Sequence, residues 1–142
     1  MKESWKNSKT NSYQDTIKLG ENLSKFLEGG DILKINGDLG SGKTTFVKGI
    51  AKGLGYNGLV TSPTFTLINE YLTSPKIIHI DCYREKNIER WNLLGITDYF
   101  TDYHIIIIEW PSILNNLLPN EYVYEIQIDH ISENKRKIAL IK

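Results

Sequence analysis

The chain has 142 residues, enough for one domain that buries a core without help from disulfides or metals. Its 17 basic residues balance 17 acidic ones, so it carries no broad field for gripping nucleic acid or an anionic membrane. The lone cysteine, Cys82, excludes an internal disulfide, and the longest apolar run, Ile105 to Ile108, is far too short to cross a bilayer.

The start, Met1 to Thr10, is polar and lacks the apolar stretch of a signal peptide, so a soluble, cytoplasmic single domain over 1–142 is expected. Ser12 suits an N-cap and Asp15 the third helical position, where an acid complements the dipole. Ile17, Leu19, Leu23, Phe26 and Leu27 continue at helical spacing, and Gly29-Gly30 is read as the stop. Ile32, Leu33 and Ile35 predict a short buried strand running into Gly37. A second helix is expected from about Lys43 to the glycines at Gly53 and Gly55. From Thr61 to Tyr71 a loop stiffened by Pro63 passes into a β-rich stretch. Ile77 to Ile80 predicts a strand ending at Asp81, and Asn87 to Leu94 a helix closed by Gly95. Ile105 to Ile108 is the most buried strand candidate. Tyr122, Tyr124, Ile126 and Ile128 alternate, and Lys137 to Ile141 follows a polar turn, which predicts an edge hairpin. Strands alternating with helices give an α/β fold: a P-loop NTPase-like mixed sheet, parallel at the centre with antiparallel additions and flanked by helices.

Residues 37–44 read GDLGSGKT, a full match to the phosphate-binding loop pattern, set between a predicted strand and a predicted helix. Gly37, Gly40 and Gly42 allow the tight turn that aims backbone N–H groups at phosphate, with Leu39 and Ser41 between them. Lys43, read as a charge on a solvated loop, supplies a point charge for the β- and γ-phosphates; Thr44 offers a hydroxyl to magnesium, with Thr45 behind it. The helix N-terminus adds its dipole. Asp38 would repel phosphate and is expected to point away.

Such a loop calls for an acid on a neighbouring strand end to hold magnesium or its water shell. Glu109, directly after four isoleucines, has that form; its plain alternative is an ordinary strand-ending acid. Asp81 ends another apolar strand and could orient water, hold magnesium through water, or cap a loop. Thr64, in the Pro-stiffened loop, is either a switch that meets the γ-phosphate or a turn threonine. The guanine-reading patterns D-x-x-G and N-K-x-D are missing, which favours adenine nucleotides. His79, Cys82 and His104 lack metal-ligand spacing and are read as core or surface residues. Arg84, beside Asp81, is the internal candidate for an arginine finger; a salt bridge holding its loop is the alternative.

Taken in order, GDLGSGKTTF at 37–46, TSPTFTLINEY at 61–71, HIDCYR at 79–84, LLGITDYF at 93–100 and IEWP at 108–111 resemble the TsaE (YjeE) family. The resemblance implies an ATPase, using ATP and magnesium, that works with a TsaB–TsaD pair to make threonylcarbamoyladenosine on tRNA without itself holding the tRNA base. It implies Thr44 and Glu109 as magnesium ligands, and a catalytic or magnesium-shell role for Asp81. It also implies a switch role for Thr64 and a site-shaping or partner role for Trp110. The adenine contacts it implies fall near Ser12 and Arg136. Two other readings of the same loop stand beside it: a nucleotide-state-dependent binding module, and a small P-loop kinase.

Overall fold

The computed structural model describes residues 7–141; most of the polar start from Met1 lies outside the described residues. The strands are β1 (Asn7–Thr10), β2 (Ile32–Asn36), β3 (Ile68–Tyr71), β4 (Lys76–Asp81), β5 (His104–Glu109), β6 (Val123–His130) and β7 (Arg136–Leu140). The helices are α1 (Tyr13–Ser24), α2 (Lys43–Gly53) and α3 (Ile88–Leu93), with 3-10 turns at Ile96–Tyr99 and Pro111–Leu117. All seven strands share one sheet in the order β1-β7-β6-β2-β5-β4-β3. The central pairs β6–β2, β2–β5 and β5–β4 are parallel; β1–β7, β7–β6 and β3–β4 are antiparallel. The mixed α/β sheet expected from the sequence is therefore the fold observed.

The central strands are buried on both faces, as parallel strands between helical layers must be. Ile105 and Ile107 face Phe46, Val47 and Ile50 of α2 and Leu23 of α1, whereas Ile106 and Ile108 face Trp91, Ile96 and Leu114. The odd-numbered face is also the one that carries His79, Asp81 and Glu109, because side chains alternate along a strand.

Three expectations need correction. The helix α1 ends at Ser24, well before Gly29-Gly30. Its last turn is closed by the Ser24 hydroxyl on Glu21 O (2.6 Å) and by Phe26 N on Leu23 O (2.9 Å). The two glycines instead let the chain pass close to the segment before β5: a Cβ on Gly29 would lie 2.2 Å from Asp102 O, and Gly30 N donates to His104 O. Second, the C-terminal hairpin is not at the edge, because β6 pairs with β2 on its other side. Third, the edge is β1, a polar stretch that the sequence pattern did not mark; it lies along β7 with Lys9 opposite Lys137.

Helix α1 crosses α2 at glycines. A Cβ on Gly49 would lie 2.1 Å from Ile17 O, and one on Gly20 2.5 Å from Phe46 O, so neither position admits a side chain without moving a backbone. Alanine in a helix interior gains about 1 kcal/mol of propensity over glycine, but forced overpacking costs about 1–3 kcal/mol. The obstacle here is main chain, so overpacking wins. Gly49→Ala is expected to lower stability by about 1–2 kcal/mol, read from the urea midpoint. A midpoint at or above wild type would mean that α1 is not seated on α2 this closely.

Candidate nucleotide site

Strand β2 delivers the chain to Gly37, and α2 begins six residues later at Lys43, so residues 37–42 form a loop cupped over a helix N-terminus. Gly40 (φ +75°) and Gly42 (φ +106°) occupy backbone conformations that suit glycine. Ser41 N closes the loop on Asp38 O at 3.1 Å. The Asp38 side chain is exposed.

Lys43 is only 5% exposed, so it is not on a solvated loop as the sequence suggested. Its ammonium group folds back and donates to Gly37 O (2.6 Å) and Asp38 O (2.8 Å), and lies 4.6 Å from the centre of the Trp110 ring. Burial pushes its pKa down; Glu109, then Asp81 and Asp38, push it partly back up. The loop thus holds its own lysine where phosphate would otherwise draw it.

The two strand-end acids meet next to this lysine. Asp81 and Glu109 are direct neighbours in the β4–β5 register, and each is 2% exposed. Asp81 Oδ2 accepts from Thr64 Oγ1 (2.9 Å) and Ser62 Oγ (3.2 Å), and Oδ1 accepts from Tyr83 N (2.8 Å). Both its oxygens are therefore engaged by protein donors. Glu109 Oε2 lies 2.5 Å from His79 Nε2. After Glu109 the chain turns sharply: Trp110 is left-handed (φ +55°), an unfavourable conformation for a bulky residue that places its ring over Lys43 and against Tyr83.

Gly40, Gly42, Lys43, Thr44, Thr45, Thr64, Asp81, Glu109, Trp110 and Arg136 line one cavity of about 320 Å³, together with Leu39 and Ser62. A smaller cavity of about 190 Å³ adjoins it, sharing Gly42, Thr45 and Arg136 and adding Ser12, Tyr13 and Thr16. Size alone would not select this place. A cavity of about 470 Å³ lies around Ile32, Phe100, Asp102 and Tyr122, by the N-terminal ends of the parallel strands, but it contains no lysine and no strand-end acid. In α/β sheets ligands bind at the other end, outside the carboxyl ends of the strands.

Some sequence-stated residues have other occupations. Ser12 accepts from Asp15 N (3.1 Å) and so caps α1. Arg136 braces the phosphate loop from behind, with Nε on Ser41 O (2.8 Å) and further bonds to the carbonyls of the β6–β7 turn. Arg84 does not line the cavity, and among the described residues it makes no salt bridge; its guanidinium group lies 4.1 Å from the centre of the exposed Phe65 ring. Cys82 is buried with its pKa pushed up to about 12 by burial, so its thiol is inert at neutral pH. His79 is a core residue by burial, as expected, but a ring with both nitrogens engaged at the site was not anticipated. The signal available was its place two residues before Asp81 on an apolar strand, since a buried polar side chain needs partners.

Residues 10–138 match the family described as Threonylcarbamoyl adenosine biosynthesis protein TsaE. The chain belongs to the TsaE family. The tRNA threonylcarbamoyladenosine biosynthesis protein TsaE of Aquifex aeolicus is 39% identical over 134 residues, which is 92% of each chain. The protein of the same description from Haemophilus influenzae is 42% identical over 108 residues, 75% of this chain and 67% of that one. The crystal structure of Bacillus subtilis YdiB superposes with a TM-score of 0.79 at 32% identity, covering 94% of this chain and 82% of that chain. The family acts in tRNA threonylcarbamoyladenosine biosynthesis, and the P-loop fold is one that binds nucleotides.

The buried lysine gives this TsaE-family chain a testable signature. Its folded pKa lies below its ordinary value, so between those two values the unfolded chain binds more protons and stability rises with pH. At neutral pH the buried charge works against the fold. Lys43→Met is therefore expected to unfold cooperatively with stability within about 1 kcal/mol of wild type at pH 7. The comparison should move in favour of wild type as pH climbs toward the lysine range. Nucleotide affinity should fall at least about tenfold, the worth of one charge-assisted hydrogen bond. Unchanged affinity by calorimetry would remove Lys43 from phosphate binding.

Proposed function

We propose that the protein binds ATP with magnesium in the 320 Å³ cavity and hydrolyses it in support of a TsaB–TsaD pair that forms threonylcarbamoyladenosine on tRNA. The observation that carries this reading is the meeting of Lys43 and Thr44 with the paired acids Asp81 and Glu109 at adjoining strand ends. Among the described residues no three His, Cys, Asp or Glu side chains form a metal cage. A hydroxyl and one or two carboxylates beside a phosphate cradle is the donor set that suits magnesium, which keeps waters and phosphate oxygens as its other ligands. Thr44 and Glu109 would hold the ion, and Glu109 Oε1 is the oxygen left to turn toward it while Oε2 rests on His79. When bound, magnesium supplies charge neutralisation on the phosphate oxygens.

Hydrolysis adds water oxygen to the γ-phosphorus and breaks the bond to the bridging β–γ oxygen, giving ADP and phosphate. On this reading Lys43 leaves the Gly37 and Asp38 carbonyls for the phosphates, and the loop N–H groups hold them. Thr64 and Ser62 both donate to Asp81 Oδ2, so a γ-phosphate that draws both hydroxyls away frees that carboxylate oxygen to orient water. Ser12 and Arg136 border the adjoining cavity, which suits the adenosine end, Arg136 acting there through the loop it braces. Among the described residues the site has no arginine free to meet charge on the γ-phosphate, because Arg136 is the one that lines it and is committed to carbonyls. A donor in trans, or partner-driven ordering of the 61–71 loop, then has most of the rate to supply.

The test is ATP turnover by the purified chain alone and with TsaB plus TsaD. Slow turnover alone and an increase of at least about a hundredfold with both partners is expected, well inside the range for an arginine supplied in trans. Thr64→Ala should keep ATP binding and lose most of the acceleration. Fast turnover alone that disappears in Arg84→Ala would instead put the finger in this chain. One observation favours a second reading: Asp81 has no oxygen free of protein donors, which suits a nucleotide-state sensor as well as a hydrolase. A Glu109→Ala protein that binds ATP, does not hydrolyse it and still supports repeated tRNA modification would establish the sensor.

A further inference from the structure

A buried polar chain leads from Glu109 away from the phosphate loop. Glu109 Oε2 meets His79 Nε2 at 2.5 Å, His79 Nδ1 meets the Tyr71 hydroxyl at 3.0 Å, and that hydroxyl reaches Thr61 O at 3.2 Å. The three side chains are 2%, 0% and 3% exposed, so the Glu109–His79 and His79–Tyr71 contacts are shielded from bulk water, whereas the contact to Thr61 lies nearer the surface. They come from three adjacent strands, β5, β4 and β3, and end at the first residue of the loop that carries Ser62 and Thr64.

We propose that His79 is a positioning residue for this site, holding the Glu109 carboxylate in place for magnesium and, through Tyr71, tying it to the loop at Thr61. The proposal rests on the magnesium–nucleotide reading above and adds to it the residues that fix the acid. A carboxylate at a strand end can rotate about its side-chain bonds; one oxygen pinned by a ring nitrogen fixes the direction of the other. Buried partners of metal ligands of this kind set ligand orientation. An imidazole used at both nitrogens passes the constraint on, since its ring cannot tilt toward one partner without leaving the other. Tyr71 is the pivot: its hydroxyl donates to the Thr61 carbonyl while its oxygen can accept from His79 Nδ1. Tyr56 packs on the Tyr71 ring at 5.0 Å and Asn69 Nδ2 also reaches Thr61 O (3.3 Å), so the pivot is itself held.

The loop is therefore fastened to both acids, at Thr61 to Glu109 through two side chains, and at Ser62 and Thr64 to Asp81 directly. Whatever reorders the loop must act on the placement of both carboxylates, and by linkage a cation that fixes Glu109 must favour one loop arrangement.

Calorimetric titration of ADP at a series of MgCl2 concentrations, with an EDTA control, reads the positioning without turnover. His79→Leu is expected to raise the magnesium concentration for half-maximal tightening about tenfold or more, on the scale of such supporting residues, with ADP affinity in EDTA unchanged. His79→Gln, whose amide can still meet Glu109, should recover most of the loss. Tyr71→Phe keeps the ring and the His79–Glu109 contact, so its magnesium midpoint should stay near wild type while amide exchange over 61–67 speeds up. A wild-type midpoint in His79→Leu, or in His79→Gln should the leucine variant not fold, would overturn the positioning role, provided Glu109→Gln has lost its magnesium response. Unchanged loop exchange in Tyr71→Phe would overturn the tie to Thr61. A wild type indifferent to magnesium would overturn the magnesium reading and this proposal together.

Discussion

Two carboxylates side by side, each almost wholly shielded by protein, are the constraint on which the rest of this structure turns. Asp81 and Glu109 are register partners on β4 and β5, each 2% exposed. Burying a polar group costs free energy unless it is paired, and burying two of like charge costs more. The fold answers with a different solution for each. Asp81 takes three neutral donors from the 62–64 loop and from Tyr83 N. Glu109 takes an imidazole. Lys43, desolvated itself, gains from both acids, so the cluster is a mutual accommodation in which no member is settled without the others.

The scaffold places that cluster by backbone contact more than by side-chain bulk. Gly20 and Gly49 let α1 sit directly on α2, and α2 starts at the phosphate loop. Arg136 then clasps the loop from β7, donating to Ser41 O. The sheet supplies the third boundary: β2, β5 and β4 run parallel, so their carboxyl ends bring Gly37, Glu109 and Asp81 to one rim. Strained turns occur at the same rim. Trp110 and Leu67 both hold positive φ; the Leu67 carbonyl accepts from Asp81 N, and Trp110 covers Lys43. Residues persist in such conformations only where their surroundings over-determine them.

What could be read from the sequence was what is local in the chain. The phosphate loop is eight consecutive residues, and β5 is a run of isoleucines that no exposed strand would carry. The strand-end positions of Asp81 and Glu109 follow from those runs. What depends on a distant partner was not legible. β1 is polar and becomes a strand only because β7 offers it an edge. The β6–β7 hairpin looked like an edge because alternation in β6 does not reveal that β2 lies alongside it, with Glu125 bonded to Asn36 Nδ2 at 2.7 Å. Phe26 and Leu27 extend the helical spacing of α1, yet only Leu27 is buried, and it lies beyond the helix end. Lys43 looked solvated because nothing in the motif states where its ammonium group folds.

The phosphate loop is closed on itself in a way that bears on how it would open. Lys43 is satisfied by Gly37 O and Asp38 O, Thr64 and Ser62 by Asp81, and Glu109 by His79. A triphosphate offers the lysine charged acceptors in place of neutral carbonyls, adding Coulomb attraction to the hydrogen bond, and offers the hydroxyls an anionic alternative to Asp81. Each exchange removes a donor from an internal acceptor, which must then find another partner or bear the cost of its loss. For the two loop carbonyls that partner can be water, since Asp38 is exposed. For Asp81, which is 2% exposed and lines the 320 Å³ cavity, a replacement donor would have to come from within that cavity. On the proposed hydrolytic reading, release of both Thr64 and Ser62 would leave Asp81 Oδ2 open to a water in the same cavity, beside the phosphate that drew them away.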